Sequence, residues 1–198
     1  KRQLFNIADA NTINGGTEID FTKLLTNETS NQVDISDQNL TVDTGTLSVS
    51  NANLLDATTS GIVTANIATD STVDSLATLT GTGNAYTIVI GSGDATGSNA
   101  SDLIAIDNAT TVAVDASSIT ELTGSNTDIA TLYASAGVSN LGDENITITN
   151  DLTVAEANAI DLLTTGVVSA SIASTVDVGT LGDLTGTNSY TCLLYTSP

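Results

Sequence analysis

One stretch of this chain occurs twice. Residues 51 to 82, NANLLDATTSGIVTANIATDSTVDSLATLTGT, align without a gap on residues 156 to 187, EANAIDLLTTGVVSASIASTVDVGTLGDLTGT, at a constant offset of 105 positions. Of the 32 aligned positions 15 are identical, among them Asn53/Asn158, Asp56/Asp161, Gly61/Gly166, Ile67/Ile172 and the Leu79-Thr80-Gly81/Leu184-Thr185-Gly186 triplet. Other pairs keep their character, as in Leu55/Ile160 and Ile62/Val167. Self-similarity at a fixed period constrains a chain more than any local motif, because each copy must fold as the same unit and bury its apolar side against a neighbour.

The apolar residues suit such a stack. They are Ala, Val, Ile and Leu, with 2 Phe, 4 Tyr and no Trp or Met. A thin core in which each unit touches only its neighbours needs medium aliphatic side chains at recurring places, not large ones. The polar residues are small, 35 Thr and 20 Ser. Thr and Val favour strands, while Gly, Asn and Asp favour turns. Disorder is the other reading of an acidic Thr/Ser-rich chain, and the recurring aliphatic positions argue against it.

Charge excludes several functions. The net charge is −20, from 23 acids and 3 bases, and two of the bases are Lys1 and Arg2. Lys23 is therefore the only cation in the interior of the sequence. Nucleic-acid binding and adsorption to an anionic membrane both need clustered Lys and Arg. A surface of this sign is soluble, repels itself, and is relieved by salt or divalent cations. It fits a secreted or cell-surface protein in a salty, calcium-containing medium.

Along the chain, residues 1–16 read as a partial unit or frayed end. Thr17–Phe21 and Gln32–Ser36 alternate like strands, and Leu47 and Val49 lie on one face of another. A short helix is expected over Asn51–Thr58, ended by Gly61. A strand is expected over Ile62–Ile67, a helical turn over Ser71–Leu79, and a strand over Ala85–Ile90. Residues 91–101 read as a flexible connection. A short apolar element (Leu103–Ile106) leads to a strand at Thr111–Ala116. A helix over Asn126–Ala136 has Asn126 as N-cap and Gly137 as stop. Asn145–Thr149 is a strand. Thr153-Val154-Ala155-Glu156 has capping-box spacing and opens a helix to Leu163, stopped by Gly166, before a strand over Val167–Ile172. The expected core is Val63, Ile67, Leu76, Leu79, Val168, Ile172, Leu181 and Leu184.

Strand starts near 62, 86, 111, 145 and 167 are spaced for a strand, a turn, a two-turn helix and a return. Parallel strands need such crossovers, which are overwhelmingly right-handed. The expected fold is an α/β right-handed solenoid with one parallel sheet and short helices, over residues 17–191, with its second copy from about residue 151. An all-β solenoid is the alternative, and stacked immunoglobulin-like sandwiches come third.

Site chemistry is sparse. The sequence has no His, so neither a Ser-His-Asp set nor a His/Cys zinc site can be built. Gly81-Thr82-Gly83 is a turn rather than a nucleotide loop. No catalytic residue is assigned, and the chain is not expected to be an enzyme. Calcium is the one ligand worth weighing, since it takes six to eight oxygens. Its candidates are Asp94 and Asp102, which flank the 91–101 loop, and Asp143/Glu144 before a strand. They match neither the EF-hand nor the calcium-binding nonapeptide spacing, and solvated acids are the ordinary reading.

Three phrases, LTVAEANAIDLLTTGVVSASIA (152–173), VDASSITELTGSNTDIATLYASAGVSNLGDENITIT (114–149) and LATLTGTGNAYTIVI (76–90), resemble repeats of very long acidic bacterial surface proteins. These are best represented in marine cyanobacteria and often labelled hemolysin-type calcium-binding-like. The resemblance covers about residues 46 to 191 and implies a secreted, non-catalytic repeat protein, such as an adhesin or surface-layer spacer. It implies no functional residue. The tail from Cys192 to Pro198, CLLYTSP, resembles a translated sequencing adapter and is set aside from the fold; the resemblance implies that the chain is a piece of a longer reading frame. Two functions from different classes follow. One is a structural spacer whose partners are neighbouring repeats, other surface proteins or polysaccharide. The other is a binding module for ice, polysaccharide or calcium on a solenoid face.

Overall fold

The structure is a computed structural model, and it describes residues 5–6, 12–29, 33–94 and 96–192. In chain order the first elements are β1 (Phe5–Asn6), β2 (Thr12–Asn14), α1 (Glu18–Thr29), β3 (Val33–Asp34), β4 (Asn39–Thr41), α2 (Val49–Thr58) and β5 (Val63–Asn66). Next come α3 (Val73–Leu76), β6 (Ala85–Thr87), β7 (Ser98–Asn99), α4 (Ala100–Ala109), β8 (Val114–Asp115), β9 (Glu121–Gly124) and α5 (Asn126–Ala134). The last are β10 (Val138–Ser139), β11 (Asn145–Ile148), α6 (Val154–Asp161), β12 (Val168–Ile172), a 3-10 turn at Val178–Asp183 and β13 (Ser189–Cys192).

The chain divides into two compact units, residues 1–91 with 105–115, and residues 92–104 with 116–198. In the first, β2-β4-β5-β6 form a parallel sheet in sequence order, and β1 pairs with β3. In the second, β7-β9-β11-β12-β13 form another, again parallel and in sequence order. Neighbouring strands meet at residues one crossover apart, such as Leu40↔Val63, Leu122↔Ile146 and Ile146↔Val168. The longer strands alternate, so that Val63 and Ala65, or Ile146 and Ile148, are buried while Asn66 and Thr147 are exposed. The fold is therefore mixed α/β with parallel sheets and several short helices, and the all-β alternative does not hold.

Local chemistry explains the short helices. Ser48, Thr72, Ser125 and Thr153 each sit before a helix, and each side chain accepts the amide three residues on. Such a cap satisfies an amide that the helix leaves without a partner. The capping box expected at Thr153/Glu156 is present.

Several expectations are corrected. Thr17–Phe21 is not a strand: the amide and hydroxyl of Thr17 both donate to Asp20 Oδ2, at 3.0 and 2.9 Å, and this cap starts α1, which buries Phe21. Leu47 makes only an isolated bridge, to Ile67, and Val49 opens α2 because Ser48 caps it. Residues 91–101 are not a plain connection. They hold a 3-10 turn (Ser92–Asp94), β7 and the start of α4, with Ser98 and Ala100 buried. Leu103 and Ile106 belong to α4. The N-cap of α5 is Ser125 rather than Asn126, and Ser135 rather than Gly137 closes it.

The strand β9 was not expected, because Glu-Leu-Thr-Gly offers a single large aliphatic side chain, Leu122. Pairing on both sides, to β7 and β11, holds it. It also resolves the long interval between the strands expected near 111 and 145. Gly166 is not a helix stop either, since α6 has ended at Asp161 with Leu162 as its C-cap. A Cβ on Gly166 would lie 2.3 Å from the Glu144 carbonyl oxygen, and one on Gly61 would lie 2.3 Å from that of Gln38. Close backbone approach is what requires glycine there. Of the expected core, Leu181 and Leu184 are only half-buried, while the other six residues are buried. Cys192 ends β13, and residues 193–198 lie outside the described residues.

Candidate functional site

What the repeat builds twice is a polar lock at the end of a helix. In the first copy Asp56, in the last turn of α2, accepts from the Thr80 hydroxyl at 3.0 Å and from Asn84 Nδ2 at 2.9 Å. Asn84 Oδ1 in turn takes the amide of Val63, at 2.9 Å, on β5. Asn53, one helical turn before Asp56, donates to the Thr78 carbonyl and accepts the Thr80 amide, each at 2.9 Å. In the second copy Asp161 takes Thr185 at 3.0 Å and Asn188 at 2.6 Å, and Asn188 takes the Val168 amide at 2.9 Å. Asn158 donates to the Asp183 carbonyl and accepts the Thr185 amide. One helix thus holds the loop and strand that follow it through four side chains.

Gly81 and Gly186 complete the lock. They have φ of 78° and 73°, and a Cβ would meet the carboxylates of Asp56 and Asp161. A second recurring device lies just before β5 and β12, at the end where the lock takes the Val63 and Val168 amides. The Thr59 hydroxyl donates to the Gln38 carbonyl and accepts the Gly61 amide, and Thr164 does the same between Glu144 and Gly166. Tyr86 and Tyr190 lie 3.5 Å through their hydroxyls from the carbonyls of Ala52 and Ala157. Burial pushes both phenols up, helped by the charges of Asp56 and Asp161 respectively. Neither is poised as an acid or base.

Among the described residues, the calcium candidates Asp102, Asp143 and Glu144 belong to no group of three acidic, His or Cys side chains. Asp102 lies in the first turn of α4, Asp143 is exposed, and the side chain of Asp94 lies outside the described set. Glu144 is 1% exposed. Its Oε2 accepts the amides of Gly142 and Asp143 at 2.8 and 3.1 Å, and its Oε1 has no partner. A carboxylate facing backbone N–H groups is set up to be neutralised by donors, not to join six or more oxygens around a cation. Among the described residues no three acidic, His or Cys side chains are grouped to hold a metal.

An open groove of about 520 Å³ lies beside α6, lined by Val154, Asn158, Val176, Asp177, Thr180 and Asp183 among others. Asp177 is spent on capping Gly179, at 2.7 Å, and Asn158 is held in the lock. The groove therefore offers a surface, not a reactive set. Among the described residues no helix is long and apolar enough to cross a membrane.

Two functional pieces escape sequence reading. Asn84 and Asn188 fall out of the 105-residue register, because Gly83 has no counterpart and the offset drops to 104. The signal was present as GTGNAYT against GTNSYT. Glu18, described below as the partner of Ser48, lies outside the residues that the 105-residue offset aligns. No family model, curated protein or solved structure matches the chain.

Proposed function

We propose that this chain is a non-catalytic structural segment of a secreted or cell-surface repeat protein, an α/β solenoid with right-handed crossovers. The observation that carries this reading is the recurrence of a whole hydrogen-bond set, Asp–Thr–Asn–Asn with its glycine, one period apart. Selection for a reactive site fixes one constellation, whereas a stacked scaffold needs the same lock in each unit. Sheets whose strand order follows the sequence support the stack, and the usual hand of parallel crossovers supports the handedness. The charge of −20 suits a long soluble segment in a salty medium.

Ile172→Asp tests it. Ile172 is buried on β12, so a charge there unfolds its own unit and loosens the paired strands, whereas Thr147→Ser leaves the melt unchanged. A fully stable Ile172→Asp protein overturns the reading. Melting with calcium and then with a chelator gives the same midpoint if the acids only solubilise. A large calcium-dependent rise turns the segment into a calcium-stiffened adhesin.

One observation favours a second reading, a binding face. Asn99, Thr123, Thr147, Ser169 and Ser189 are in register across five parallel strands. The corresponding row in the first unit reads Asn14, Thr41, Thr64 and then Ala85. A flat hydroxyl row suits ice or polysaccharide, and thermal hysteresis in the purified protein would favour it over the spacer.

A further inference from the structure

We draw no further inference here: the strongest candidate, the pair of side chains Gln38 and Glu144, buried just before β4 and β11 with one unpartnered oxygen each, carries none, because the structure shows no second feature that points to a ligand at either oxygen.

Discussion

The entrances to α2 and α6 do the same job with their partners exchanged. At α6 the N-cap amide of Thr153 is met from within the helix, by Glu156 Oε2 at 2.8 Å, and Asn126 from α5 steadies that carboxylate at 3.1 Å. At α2 the residue equivalent to Glu156 is Asn51. The carboxylate comes instead from Glu18 on α1, which takes the Ser48 amide and Asn51 Nδ2, each at 2.9 Å. What persists is one carboxylate and one amide bridging two helix N-termini, whichever helix supplies each. The lesson is that the unit conserves a set of satisfied donors, not a set of residues, because a helix N-terminus left without acceptors is costly wherever it lies.

The comparison can be broken in four places. The largest effect is expected where burial differs most. Leu76 is buried in α3, so Leu76→Ala costs about 2–5 kcal/mol, while the half-buried Leu181→Ala costs about 1 kcal/mol or less; equal losses in urea midpoints would mean the second copy's last turn is as well docked as the first. Next is the pair Gln38 and Glu144, each 1% exposed with one side-chain oxygen unpartnered. Gln38→Glu lowers stability by about 1–3 kcal/mol, because it buries a charge. Glu144→Gln raises it by about 1 kcal/mol, since an amide oxygen still accepts the Gly142 and Asp143 amides. Calorimetric melts of both variants check the signs.

A smaller effect attends the exchanged pair. Asn51→Glu sets a second carboxylate against Glu18 and costs about 1 kcal/mol, and adding Glu18→Asn restores it by rebuilding the α6 arrangement. A double-mutant cycle with no coupling would make the exchange accidental. The smallest concerns acid. Glu156 is held below the usual carboxylate range by the Thr153 amide first and the Thr153 hydroxyl next, and Glu18 by Ser48 and then Asn51. A carboxyl lowered in the folded state stabilises above its unfolded value, near 4.3, and that contribution fades as the pH falls through the folded value. The difference in melting temperature between the natural chain and Glu156→Gln is therefore full at pH 7 and vanishes in strong acid.

Much of the unit was legible in the sequence. The 105-residue offset exposed the repeated Asp56/Asp161 and Gly61/Gly166, the capping box at Thr153 and the strands around Val63 and Val168. All of these depend on near neighbours or on a pattern the chain states twice. Period and capping chemistry act over a few residues, so a single sequence carries them. Most of what lay hidden depends on partners distant in the chain. Glu-Leu-Thr-Gly becomes a strand only between two others, and Gly166 is glycine because the Glu144 backbone passes against it; the cap of Thr17 by Asp20 is local, and the alternation of residues 17–21 concealed it. Asn84 and Asn188 join the lock across a one-residue slip, and Glu144 is buried although its neighbour Asp143 is exposed. The sequence by itself determined a repeated α/β unit, its polar caps and its negative surface. Only tertiary structure decided which strands pair and which glycines are crowded, because those outcomes are set by atoms brought together from 20 or more residues away.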